Sequence, residues 1–197
     1  MRRPYKIVEP AELERLTESR HHEGICVVVA ASPPRGLADV LAEPGPGWLV
    51  ALEGVENPHN TGAIVRTAAH FGARAVVVEG PPKRLPPVVY RTAQGGAEWV
   101  DVVVAPALAA ALAEARRAGF AICATSSHGG TPLFAAKLPA RVVVVLGAED
   151  VGLSPEVARA ADLTVEIPGS GHVESLNVAA SAAVLLGELW RRRHAAP

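Results

Sequence analysis

The sequence predicts an α/β domain built on a mostly parallel sheet with helices on both faces. Three observations carry that prediction. Short valine-rich runs recur along the chain, helical patterns lie between them, and most of the runs are continuously apolar rather than alternating. A run without polar alternation marks a strand covered on both faces, as in a parallel sheet whose crossovers are helices. At 197 residues the chain suits one such domain with a full core.

In chain order the predicted strands are ICVVVAA (25–31), WLVAL (48–52), RAVVVE (74–79), WVDVVVA (99–105), FAICAT (120–125), RVVVVLG (141–147) and LTVEI (163–167). A helix is predicted from Asn60 to Phe71, ending at Gly72, and another from Pro106 to Ala118, ending at Gly119. Glycine just past a helix end adopts the left-handed conformation that closes it. Ser154-Pro155-Glu156 reads as an N-cap followed by proline at the first helical position. The last helix runs from about Leu176 to Arg193. The loop AEPGPGW (42–48) separates an N-terminal arm, 1–47, from a core domain, 48–197.

With 49% hydrophobic and 20% charged residues, the composition is globular rather than disordered. The longest apolar run, Val178 to Leu186, contains Ser181, stops at Gly187-Glu188 and is too short to span a membrane. MRRPYKIVEP has no apolar segment behind its arginines, so a cytoplasmic protein is expected. Cys26 and Cys123 sit inside apolar runs, without a CxxC pair, and read as buried free thiols. A net charge of −1 supplies no global field for nucleic acid. Positive charge is available locally, at Arg2, Arg3, Lys6, Arg20, Lys83, Arg84, Arg91 and Arg191-Arg192-Arg193.

The common nucleotide fingerprints are missing. There is no G-x-x-x-x-G-K-[ST] loop and no G-x-S-x-G elbow. Gly169-Ser170-Gly171 begins a G-x-G-x-x-G pattern, but Glu174 occupies the third glycine's place and the loop lies near the C-terminus. His21-His22, His59, His70, His128 and His172 lack metal-ligand spacing and read as surface or hydrogen-bonded residues, so no metal is expected.

What remains is three loops, each after a strand: ENPHNTGAIVRTA (56–68), LGAEDVGLSPEV (146–157) and IPGSGHVESLNVA (167–179). In this order they resemble the three signature motifs of the SpoU/TrmH family of RNA 2′-O-ribose methyltransferases, in the SPOUT superfamily. YRTAQGGAEWVDVV (90–103) is similar to the family's segment between the first and second motifs. The resemblance covers residue 48 to the end. It implies a C-terminal deep trefoil knot that holds S-adenosylmethionine, a homodimer, and an RNA substrate, tRNA or rRNA. It also offers a reason for a last helix that is apolar nearly all round: packing by its own sheet on one side and a partner subunit on the other. An ordinary buried core helix would explain the alanines equally well.

Carried over residue by residue, the family's functional side chains fall on Asn60 and Arg66, on Glu149, and on Ser175 and Asn177. Plainer roles exist for each. Asn60 is placed to cap its helix, Arg66 to solvate a helix face, Glu149 to favour the dipole of the helix from Pro155, and Ser175 or Asn177 to cap the last helix. The resemblance also implies backbone-mediated cofactor binding around Leu146, Gly147, Ile167, Gly171, Leu176 and Asn177. Arginine stays protonated in proteins, so Arg66 is expected to hold the phosphate and stabilise a developing alkoxide rather than act as base. The segment YKIVEPAELERLTESRHHEGICVVVA resembles the tail of an RNA-binding domain plus its junction to the core. Two alternatives stand beside this one: a knotted RNA-binding or ribosome-assembly factor with little or no catalysis, and a nucleotide-binding α/β enzyme unrelated to RNA.

Overall fold

The computed structural model describes residues 4–20, 22–28, 35–81 and 85–195. The chain divides into two compact units, residues 1–33 and 34–197. Among its described residues the first unit contains one helix, α1 (Pro10–Thr17), which starts on a proline and carries a Lys6–Glu12 ion pair at 3.2 Å. The predicted strand 25–31 is not borne out over 25–28. Those residues are irregular, Val28 is 89% exposed, and Cys26 is only partly buried rather than a core thiol. An apolar run becomes a strand only where a neighbouring strand takes its backbone hydrogen bonds, and no ladder among the described residues includes these. Residues 29–31 lie outside the described ones.

The second unit runs α2 (Leu37–Leu41), β1 (Gly47–Leu52), α3 (Pro58–His70), β2 (Ala75–Glu79), α4 (Pro87–Ala93), β3 (Asp101–Ala105), α5 (Leu108–Arg117), β4 (Ala121–Thr125), β5 (Thr131–Pro132), β6 (Arg141–Leu146), α6 (Pro155–Arg159), β7 (Leu163–Glu166) and α7 (Val178–His194). A 3-10 turn, Gly96–Glu98, precedes β3. The seven strands form one sheet in the order β3-β2-β1-β6-β4-β7-β5, and every ladder is parallel. The predicted α/β class is therefore correct. α2, which no sequence pattern announced, buries Val40 and Leu41 in the core of this second unit, and the Pro/Gly loop at 42–46 follows it there.

Side chains alternate across a strand, so β1 feeds both layers. Trp48, Val50 and Leu52 pack with Ile64, Val65 and Ala68 of α3 and Ala182, Leu185 and Leu186 of α7. Leu49 and Ala51 pack with α2, with Leu108 and Leu112 of α5, and with Val157 of α6. Both predicted glycine stops are real. After α3, the Gly72 N–H donates to Ala69 O (3.2 Å) and the Ala73 N–H to Ala68 O (2.9 Å), with Gly72 at φ +70°. The same double closure follows α5, through Gly119 and Phe120. At α6, Ser154 Oγ accepts from Val157 N at 3.2 Å, as its N-cap reading requires.

Because all strands are parallel, their carboxyl ends share one edge. From that edge β1 leads into α3, β6 into the loop 147–154, and β7 into the loop 167–177. The edge beyond the carboxyl ends is where open α/β sheets hold ligands.

Candidate functional site

Asn57, not Asn60, caps α3: its Oδ1 accepts from His59 N at 2.9 Å, with Pro58 following at the first helical position. Asn60 is thereby left for another task, and its Nδ2 donates to Glu149 Oε1 at 3.2 Å. The same Glu149 oxygen accepts from Val178 N, the first residue of α7, at 3.1 Å. Glu149 therefore serves the N-terminus of α7 and not, as expected, that of the helix from Pro155. Near α6 the acid is Glu53, whose Oε2 accepts from Ser154 N at 2.8 Å. A carboxylate at a helix N-terminus is favoured by amide hydrogen bonds and by the helix dipole.

Asn177 caps α7, its Oδ1 accepting from Ala180 N at 2.7 Å. Ser175 is exposed two residues earlier and is not the cap. Asn60, Glu149 and the first turn of α7 thus meet at one point on the carboxyl edge, joining the three motif loops.

The loop after β6 turns back on itself, with Gly152 N donating to Ala148 O at 2.9 Å. A Cβ on Gly147 would lie 2.4 Å from the Gly152 carbonyl carbon, so only glycine permits this turn. Leu146 is a core residue: its side chain is buried and its carbonyl accepts from Glu53 N at 2.9 Å. Ile167 is partly buried, Leu176 is 45% exposed, and Gly171 turns the 167–177 loop at φ +81°. Gly147, Ile167 and Leu176 therefore offer accessible backbone or apolar surface, whereas Leu146 offers packing behind them.

Arg66 stands apart. It is exposed on α3, six residues and about 120° around the helix from Asn60. It lines a groove of about 490 Å³ together with His70, Phe71, Gln94, Trp99 and Ala183. Gly96 seats this wall, since a Cβ there would lie 3.0 Å from Arg66 Cα. Trp99 is 86% exposed. Neither Asn60 nor Glu149 lines the groove. Within one chain, then, the predicted side chains fall into two groups.

A larger cavity, about 720 Å³, lies at the opposite, amino edge beside Arg141. There Arg141 donates to the carbonyls of Leu41, Glu43, Gly45 and Ala118, while Arg74 holds those of Glu43, Pro44, Gly45 and Pro46. These guanidinium groups staple loop 43–46 and leave little for a ligand.

The C-terminal arginines are also mostly committed. Arg192 bonds Glu188 and the carbonyls of Leu133 and Ala136, and Arg193 lies 5.4 Å from the Trp48 ring centroid. Arg191 pairs with Glu188 but remains largely exposed, and Arg91 is exposed on α4. Arg2, Arg3, Lys83 and Arg84 lie outside the described residues. Sequence reasoning missed the loop after β4, TSSHGG (125–130), because it carries no motif. Only the strand order, which sets β4 between β6 and β7, reveals that it opens between the loops after β6 and β7.

Residues 47–187 match the model of the SpoU rRNA methylase family. The match spans well over half of the chain, and the chain belongs to that family. It is 39% identical over 196 residues to the uncharacterized tRNA/rRNA methyltransferase YfiF of Escherichia coli O157:H7, covering 98% of this chain and 56% of that protein. It is 33% identical over 190 residues to a 23S rRNA (guanosine-2′-O-)-methyltransferase RlmB of a Burkholderia species, covering 94% and 76%. Among solved structures it resembles the SpoU methyltransferase AviRb of Streptomyces viridochromogenes in complex with AdoMet: 27% identity, TM-score 0.72, 81% of this chain and 62% of that one. The chain spans between 56% and 62% of the length of the first curated relatives it matches.

Proposed function

We propose that this chain transfers a methyl group from S-adenosylmethionine to a ribose 2′-hydroxyl of tRNA or rRNA. The observation that carries this is the single point where Asn60, Glu149 and the first turn of α7 meet, because it draws all three motif loops to one side of the sheet. The residues there suit a nucleoside cofactor. The tight turn at Gly147 sets the partly exposed backbone of the β6 loop at the carboxyl edge, and Ile167 and Leu176 supply apolar surface for an adenine. When bound, the sulfonium cofactor supplies an already activated methyl group. The chain's own task is to hold the ribose in line and to manage charge and a proton at its 2′-oxygen. Arg66 fits the electrostatic part: a planar, permanently charged fork binds a phosphate and steadies a developing alkoxide.

The groove around Arg66 is assigned to a second copy of this chain. Its exposed Trp99, with Phe71 and Ala183 beside it, is an apolar surface that a homodimer would cover, continuous with the outer face of α7. In the dimer Arg66 would reach the partner's carboxyl edge, reuniting the two groups of predicted residues. The C-terminal trefoil knot and a cytoplasmic location belong to the same proposal. Among the described residues no helix is long and apolar enough to cross a membrane.

The test uses the protein with S-adenosylmethionine carrying a labelled methyl group and with total tRNA and rRNA. Digestion to nucleosides should show 2′-O-methylation. Arg66→Lys should lower turnover about a hundredfold, because a point charge does not replace a bidentate fork. Near-normal turnover in that variant would remove the bidentate role. Cofactor binding with no methylated nucleoside in any RNA would favour the non-catalytic RNA-binding factor.

A further inference from the structure

The loop after β4 places a histidine between the two halves of the proposed cofactor cleft. β4 lies between β6 and β7, with Ala124 level with Val145 on one side and Thr125 with Val165 on the other. Extended by two residues, the same registers set Ser126 beside Gly147 and Ser127 beside Ile167. Neighbouring strands are about 5 Å apart, so the loop emerges next to both backbone positions assigned to the cofactor.

This loop is held firmly. Ser126 Oγ donates to His128 O at 2.6 Å and accepts from His128 N at 3.2 Å. Gly130 N donates to Glu166 Oε2 at 3.1 Å, and a Cβ on Gly130 would lie 2.6 Å from the Val165 carbonyl carbon, so the loop lies directly on β7. The imidazole is oriented as well, with Nδ1 3.0 Å from Ser127 Oγ. Its Nε2 has no partner among the described residues, and the side chain is exposed.

We propose that His128 Nε2 hydrogen-bonds a ribose hydroxyl of bound S-adenosylmethionine, with Ser127 fixing the ring. This rests on the cofactor reading above. An adenine gripped at Gly147, Ile167 and Leu176 has its ribose as the next polar group along the molecule. The strand ends nearby have little left for it: Ser126 N donates to Val165 O at 3.0 Å and Thr125 Oγ1 to Val145 O at 2.9 Å. A side chain from this loop is placed to meet the diol. An imidazole with one nitrogen occupied offers one donor or one acceptor, and a hydroxyl complements either.

The test compares two ligands by calorimetry: S-adenosylhomocysteine, and 5′-methylthioadenosine, which keeps adenine and ribose but lacks the amino-acid end. His128→Ala should weaken both about tenfold and by the same factor, the scale of one hydrogen bond. His128→Gln should recover most of that loss, and Ser127→Ala should weaken both about threefold, with unchanged melting temperatures in all three. Wild-type affinity in His128→Ala would overturn the proposal. Loss confined to S-adenosylhomocysteine would overturn it too, by moving His128 to the amino-acid end. Failure of the wild-type protein to bind S-adenosylhomocysteine would instead overturn the cofactor reading, and this inference with it.

Discussion

At the scale of single residues, one oxygen of Glu149 holds the site together. It accepts from Asn60 on α3 and from Val178 at the start of α7, elements far apart in sequence. Removing it strands an amide in the first turn of α7, although the Asn177 cap remains. Glu149→Ala is expected to cost about 1 kcal/mol of stability in urea unfolding. Glu149→Gln keeps an acceptor oxygen and should lose less than half as much. Equal losses would show that the charge, rather than the hydrogen bonds, matters. The identities of these side chains were legible in the sequence through the motif resemblance; their partners were not. Capping by Asn57 instead of Asn60, and the pairing of Glu149 with α7 instead of α6, depend on where the chain returns in space.

At the scale of elements, α7 carries a buried acid that holds Arg192, the side chain that ties the helix to the carbonyls of Leu133 and Ala136. Glu188 is 5% exposed and is bracketed by Arg191 and Arg192. The hydrogen bond from Arg191, aided by Arg192 and opposed by burial, holds its carboxyl down at about 2. A carboxyl that titrates lower when folded stabilises the protein above its unfolded value, near 4.5, and loses that contribution as pH falls toward 2. The melting temperature should therefore drop between about pH 4.5 and pH 2, and Glu188→Gln should flatten that part of the curve while lowering stability at neutral pH. An unchanged acid limb in the variant would contradict this. Elements were the most legible scale. Six of the seven predicted strands exist within a residue or two, because continuous valine runs suit buried parallel strands. The exception, ICVVVAA, has the same composition but no pairing partner over its described residues. α2 and α4 are too short to show a helical period, and β5 is a two-residue edge strand whose only signal is its ladder with β7.

At the scale of the whole molecule, the strand order makes the site. Placing β6 and β4 between β1 and β7 gathers the carboxyl-edge loops, an order no periodicity encodes. The separation of Arg66 from Asn60 and Glu149 is the molecular-scale ground for the proposed homodimer. Trp99→Glu puts a charge in the proposed contact and should shift the solution mass from dimer to monomer, with the fold intact by circular dichroism. A dimer that survives this change would mean that another face makes the contact. The carboxyl edge of the sheet is the proposed binding site for S-adenosylmethionine. The most direct test is calorimetric titration of the wild-type protein and of Leu176→Trp, which fills the proposed adenine position. Saturable binding at one site per chain, lost in the variant while its melting temperature holds, is the predicted result. A wild-type dimer that binds none of the cofactor, or a variant that binds as well as the wild type, would contradict it.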